Sequence, residues 1–176
     1  MNKEFGLIQV YTGDGKGKTT ASLGLALRAC GHGLKVLMLQ FMKGDREYGE
    51  IKAAIYLPNF EIKQLGRDCF VDFANPDSVD VKMLIEGWQE AKEAILSRKY
   101  DIVILDEINI AMHAKFLPLE EVVDFLKNND FKNTEIVLTG RQAPTEIIEL
   151  ADLVTEMKEI KHYFSKNIHS RDGFDH

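Results

Sequence analysis

The chain has 176 residues, enough for one domain of ordinary size that buries roughly 70% of the surface its unfolded form would expose. Acidic residues outnumber basic ones by 28 to 22, for a formal net charge of −6, so no overall positive field exists to hold a nucleic-acid backbone and no nucleic-acid partner is expected. No apolar run approaches the ~20 residues that cross a bilayer, "MNKEFGLIQV" is too short for a signal sequence, and Cys30 and Cys69 lack CxxC spacing; a cytoplasmic protein with reduced thiols and no membrane partner is expected.

In chain order, the short apolar runs "LIQVY" (7–11), "KVLMLQF" (35–41), "FEIKQL" (60–65), "DIVILDE" (101–107), "TEIVLTG" (134–140) and "LVTEMKEI" (153–160) predict strands. Runs such as "IVIL" are apolar on both faces, as in parallel strands covered by helices on each side. A helix follows the glycine-rich turn after the first strand. A second, over 78–98, carries Val81, Leu84, Trp88, Ala91 and Ile95 on one face and begins after Asn-Pro-Asp. Two more open with a proline in the first turn, "PLEEVVDFLK" from Pro118 and "PTEIIELA" from Pro144. They turn Leu119, Val122, Val123 and Leu126, and Ile147, Ile148 and Ala151, inward. This alternation predicts an α/β fold, read as a single domain over 1–176 with no internal repeat or linker. Residues 42–58 and 66–77 are irregular and are candidate substrate loops.

The turn "TGDGKGKTT" (12–20) lies between an apolar strand and a helix. Gly17, Lys18 and Thr19 fit the second half of the phosphate-loop pattern G-x-x-x-x-G-K-[ST], whereas Thr12 stands where the first glycine belongs and glycines fall instead at 13 and 15. The physical logic is intact: glycines let the backbone approach phosphate, N–H groups point inward, and the helix N-terminus adds partial positive charge. Gly13, Asp14, Gly15, Lys16, Gly17, Lys18, Thr19 and Thr20 are therefore the candidate nucleotide cradle, with Lys18 on phosphate oxygens and the Thr19 hydroxyl on Mg²⁺ or Mn²⁺. Lys16 is either a second phosphate contact or a solvated loop lysine. Asp106 and Glu107, closing an apolar strand, match the acidic strand that faces such a loop and completes the metal site.

Together "TGDGKGKTTASLGLALRACGHGLKVLMLQFMKG", "VILDEINIAMHAKFLPLEEVVDFL", "VLTGRQAPTEIIELADLVTEMKEIKHYF" and "SRDGFDH" resemble the ATP:corrinoid adenosyltransferases that carry a phosphate loop, nearly end to end. That resemblance implies a three-layer, RecA-like α/β P-loop fold with a mostly parallel sheet, and a homodimer. It implies that a Co(I) corrinoid attacks the 5′ carbon of ATP and releases intact triphosphate, with ATP reversed in the cradle relative to ordinary P-loop enzymes, in cobalamin biosynthesis or salvage. Lys18, Thr19 and Glu107 would then serve the departing triphosphate and its metal, and Asp106 and Glu107 belong to the metal. No water needs activating, so Glu107 need not act as a base. Arg141 in "TGR" matches the family position near the phosphates; the alternative is a surface arginine. The resemblance also implies a lower-face corrin contact in "GRDCFVDFANPD" (66–77). Phe70 falls on the family's phenylalanine, but Asp72 stands where many members carry tryptophan, and Phe73 is the neighbouring substitute. Six residues precede the first strand, so the helical arm of longer members is expected to be missing. A flavoprotein is the expected reductant.

The histidines 32, 113, 162, 169 and 176 show no metal-ligand spacing, and no D-x-H-x-x-G segment offers a histidine to cobalt. Met38, Met83, Met112 and Met157 read as core filler, Glu120-Glu121 as a solvated face, and Lys158, Lys161 and Lys166 as surface. The alternatives are a nucleotide hydrolase or kinase, which would use Glu107 as a base, and a module that senses ATP without turnover.

Overall fold

The computed structural model describes residues 6–68, 76–131 and 133–176. Strands β1 (Ile8–Thr12), β2 (Val36–Phe41), β3 (Phe60–Leu65), β4 (Ile102–Asp106), β5 (Glu135–Thr139) and β6 (Leu153–Glu156) form one sheet in the order β3-β2-β4-β5-β1-β6. Every neighbouring pair is parallel. Helices α1 (Lys18–Gly31), α2 (Gly49–Ala54), α3 (Ser78–Leu96), α4 (Ile108–His113), α5 (Leu119–Asn128) and α6 (Thr145–Leu150) cover the two faces.

The period-two alternation of a strand explains the three layers. Leu37, Leu39 and Phe41 of β2, Val103 and Leu105 of β4, and Ile136 and Leu138 of β5 point to one face, against Leu84, Trp88 and Ile95 of α3, Ile108 of α4, Leu126 of α5 and Ile147 of α6. The intervening Val36, Met38, Ile102, Ile104 and Val137 point to the other, against Ala26 and Ala29 of α1 and Ala54 of α2. Both faces of the central strands are thus dry, which is why their sequences read as continuous apolar runs.

Asp77 caps α3 by accepting from the Val79 N–H at 3.1 Å. The indole N–H of fully buried Trp88 donates to Glu121 Oε1 at 2.9 Å, and Lys92 Nζ donates to the same oxygen at 2.7 Å, so Glu121, with its side chain 41% exposed, is also a tie between α3 and α5. That lysine bond holds the Glu121 carboxyl below its usual range. Pro118 and Pro144 occupy the caps, one residue before the helices they open. Ile148 does not turn inward: it is 37% exposed, because Ile147, Leu150 and Ala151 already make the apolar stripe of α6 and Ile148 lies about 100° round from Ile147. Strand β6 ends at Glu156, four residues before the apolar run does. Met157 leaves the sheet half-buried, beneath the glycine turn instead of in the core. Among the described residues, no helix is long and apolar enough to cross a membrane.

Candidate functional site

In a parallel sheet the strands all deliver their carboxyl ends to one edge, where loops gather over the helix N-termini. Here that edge carries the glycine turn after β1, Lys43 after β2, Asp106 and Glu107 at β4, Gly140 and Arg141 after β5, and Met157 after β6. Strand β5 lies between β1 and β4, so the end of β5 bridges the glycine turn and the acidic strand.

The turn differs from the general phosphate-loop pattern for a reason visible in its packing. Thr12 remains in β1, and its Oγ1 accepts from the Ala143 N–H at 3.1 Å, tying the turn to the β5–α6 loop. Gly13 has φ +96°, and a Cβ there would stand 2.5 Å from the Met157 carbonyl oxygen; at Gly15 it would stand 2.7 Å from the same oxygen. The Gly15 N–H donates to that oxygen at 2.7 Å. The glycines at 13 and 15 therefore admit the backbone of segment 157–158 against the loop.

Lys18 is buried, and its Nζ donates to the Gly13 and Gly15 carbonyls at 2.7 and 2.8 Å. An ammonium has three donors, so one remains for an acceptor in the cavity. Burial pushes the Lys18 ammonium below its usual range, partly offset by Glu107. The first N–H groups of α1 have no intrahelical acceptors and face the same space.

Asp106 is the centre of the polar network and is fully buried. Its Oδ1 accepts from Thr19 Oγ1 at 2.9 Å and Thr139 Oγ1 at 2.6 Å, and its Oδ2 accepts from Lys43 Nζ at 2.7 Å. The Glu107 N–H donates to Thr139 Oγ1 at 3.1 Å, and Glu107 itself takes a left-handed φ of 67° as the cap of α4. Burial pushes the Glu107 carboxyl up, the Asp106 carboxylate adds to this, and Lys43, Lys18 and Arg141 oppose it. For Lys43, the Asp106 and Glu107 carboxylates outweigh desolvation, the largest single influence, and its ammonium is held above its usual range.

A cavity of about 330 Å³ opens between the glycine turn and the closing segment of the chain. Gly15, Lys16, Gly17, Lys18, Thr19, Thr20, Glu107 and Arg141 line one side, and His162, Tyr163, Phe164, Ile168, Ser170 and Asp175 the other. Lys16 pairs with Asp175 at 2.6 Å, and Arg141 stands 4.0 Å from exposed Asp14.

The structure thus gathers Gly13, Asp14, Gly15, Lys16, Gly17, Lys18, Thr19, Thr20, Asp106, Glu107 and Arg141 at one edge, while Phe70, Asp72 and Phe73 lie outside the described residues. Lys43, Thr139 and Asp175 are additions. Lys43 had a sequence signal, since it follows a strand apolar on both faces; what the sequence does not reveal is that β2 neighbours β4. Hard oxygen donors at Thr19 and Asp106, already touched by one cation in the Lys43 ammonium, fit a Mg²⁺ or Mn²⁺ ion.

A sequence profile of the family described as ATP:corrinoid adenosyltransferase BtuR/CobO/CobP matches residues 4–176. A protein called corrinoid adenosyltransferase from Escherichia coli strain K12 is 39% identical over 173 residues, 98% of this chain and 87% of that protein. One of the same name from a Sinorhizobium species is 39% identical over 180 residues, covering 98% of this chain and 81% of its own. Among solved structures, the flagellar accessory protein FlaH from Methanocaldococcus jannaschii superposes with a TM-score of 0.61 at 11% identity, over 87% of this chain and 71% of that one, a likeness of fold alone.

Proposed function

The chain belongs to the ATP:corrinoid adenosyltransferase family, and from that premise we propose that it transfers the 5′-deoxyadenosyl group of ATP to the Co(I) of a reduced corrinoid in adenosylcobalamin synthesis. The observation that carries this reading is a phosphate cradle, Gly13 to Thr20, joined to Asp106 through Thr19, in a chain that matches the family along nearly its whole length.

In the proposed reaction the Co(I) electron pair forms a bond to C5′ while the bond from C5′ to the triphosphate oxygen breaks, and triphosphate leaves intact. Catalysis then consists of holding the charge that grows on the leaving group with donors fixed in advance. The free donor of Lys18 and the first N–H groups of α1 meet phosphate oxygens, and Lys16 and Arg141 flank them. Thr19 and Asp106, with Glu107 beside them, would hold Mg²⁺ or Mn²⁺, which supplies Lewis-acid stabilisation of the triphosphate. Asp106 orients the Thr19 hydroxyl so that its lone pairs face the cavity. We further propose a cytoplasmic homodimer served by a flavoprotein reductant, with Phe70 packed on the lower corrin face.

The test is an anaerobic reaction of the purified protein with ATP, Mg²⁺ and chemically reduced corrinoid, following the Co(I) absorbance and identifying the phosphate product. Light-sensitive adenosylcorrinoid with intact triphosphate is expected. ADP or free phosphate, formed equally well without corrinoid, would instead make the cradle that of a hydrolase or kinase. Starting the same reaction from Co(II) tests Phe70: Phe70→Ala is expected to slow it more than the reaction from Co(I), and equal slowing would reduce Phe70 to packing.

A further inference from the structure

Lys43 is the one cation of the Asp106 network to which the proposed chemistry gives no task. Its Nζ stands 2.7 Å from Asp106 Oδ2 and 3.4 Å from Thr19 Oγ1. The carboxylate it meets is saturated. Oδ1 accepts from Thr19 and Thr139, and Oδ2 accepts from Lys43 and, at 3.4 Å, from Gln40 Nε2, which fills the roughly four lone-pair positions a carboxylate offers. The Thr19 hydroxyl spends its hydrogen on Asp106, so its lone pairs face the side on which the ammonium stands. A single cation touching both oxygens occupies the position that a divalent ion held by them would need.

The placement of Lys43 is built into the backbone. Gln40 pairs in register with Asp106 across β2 and β4, which brings Lys43 over the acidic strand. Met42 takes a left-handed φ of 58°, and Gly44 lies against Gly66, where an added Cβ would be 2.5 Å from the Gly66 carbonyl oxygen. The chain after β2 is thereby pinned to the chain after β3. The Lys43 side chain is 20% exposed and springs from the loop after β2, outside any strand or helix.

We infer that Lys43 is the built-in counter-ion of the metal site: it neutralises Asp106 while no divalent cation is bound, and must vacate Asp106 Oδ2 before such a cation can be held there. It is a positioning residue. Displacing an ammonium from a buried carboxylate opposes binding of a metal alone, and the triphosphate supplies the anionic oxygens that receive the displaced ammonium. Metal and nucleotide therefore bind as a pair. The inference rests on the reading that Thr19 and Asp106 hold the cation.

The test is Mn²⁺ binding followed by the electron-paramagnetic-resonance signal of the free ion, with and without ATP and in the absence of corrinoid. Lys43→Met is expected to bind one Mn²⁺ without nucleotide at least ~tenfold more tightly than the unmodified protein, and to gain less from added ATP. Lys43→Arg, which keeps the charge, is expected to behave as the unmodified protein. Nucleotide-free affinity that is unchanged or weaker in Lys43→Met, or equally raised in Lys43→Arg, would overturn the inference. Asp106→Asn separates the two layers of the argument. If it abolishes Mn²⁺ binding with ATP while Lys43→Met changes nothing, the counter-ion role alone falls; if it leaves Mn²⁺ binding intact, Asp106 is not a metal residue and both fall. Lys43→Gln serves the same comparison should Lys43→Met not fold.

Discussion

Lys16 and Asp175 lie 159 positions apart, and their side chains meet as a 2.6 Å ion pair beside the phosphate cavity. Asp175 also accepts from the Tyr163 hydroxyl and from the Arg171 N–H at 3.1 Å, and the Lys16 bond holds its carboxyl below its usual range. If Lys16 is a phosphate contact, as proposed, a phosphate oxygen and this carboxylate compete for one ammonium. Asp175→Asn keeps the shape and removes the charge, so the ATP dissociation constant is expected to fall about three- to tenfold by calorimetry. An unchanged or larger constant would mean that nucleotide never reaches Lys16.

Gly13→Ala tests the packing of the loop on segment 157–158. The left-handed φ costs an L-residue about 1–2 kcal/mol, and the new methyl meets a backbone carbonyl that cannot swing aside, so a total of about 2–4 kcal/mol is expected in denaturant unfolding. Gly24→Ala, where an added Cβ meets nothing within 4 Å, is the control and is expected to be neutral or stabilising. Equal midpoints for the two variants would contradict the close approach.

Lys18→Ala removes the donor that the proposed mechanism assigns to the leaving group. The loss of one such contact costs about 3 kcal/mol, so kcat is expected to fall by roughly two orders of magnitude. Turnover within a factor of a few of the unmodified enzyme would take Lys18 out of the mechanism.

The Arg67–Asp80 pair, which is not among the residues lining the cavity, predicts an acid-side stability effect. Arg67 Nε and Nη2 donate to the two Asp80 oxygens at 2.8 and 2.6 Å, and those bonds hold the buried Asp80 carboxyl below its usual range. Because the folded pKa is depressed, the pair stabilises fully above the unfolded aspartate value of about 3.9, and loses that contribution as pH falls through the folded value. With the Arg67 side chain 38% exposed, the contribution is discounted to about 1–2 kcal/mol. Asp80→Asn is expected to lower stability by that amount at neutral pH, with the two proteins converging as the pH falls below about 4. A gap between their urea midpoints that stays constant down to the acid limit would be inconsistent with this account.

What could be read from the sequence was whatever is local. The six strands emerged because apolar runs declare burial, and α3 because Leu84, Trp88, Ala91 and Ile95 recur at helical spacing. The short helices Gly49–Ala54 and Ile108–His113 went unread, each being too brief to show a period. The glycine turn and Asp106 were legible as two halves of one site because each is a motif by itself. Lys43 and Asp175 were not: one depends on strand order and the other on the path of segment 157–176, and neither spacing is encoded near the residue. The tie from Glu121 to Trp88 was hidden for another reason, since a charged pair on a solvated helix face does not reveal that a buried indole on another helix needs an acceptor.

The hydrogen bonds that converge on Asp106 come from residues 87, 66, 63 and 33 positions away. Each closes a long loop, so its entropic cost is met only when α1, β2 and β5 have all docked on β4. The carboxylate cannot be stripped of water favourably while any of these partners is missing. A fragment that lacks any one of these elements cannot assemble the network. Order at Asp106 is therefore a report on the docking of α1, β2 and β5 around β4, and a chain in which any one of them is displaced has no joined cradle and acidic strand to offer a nucleotide.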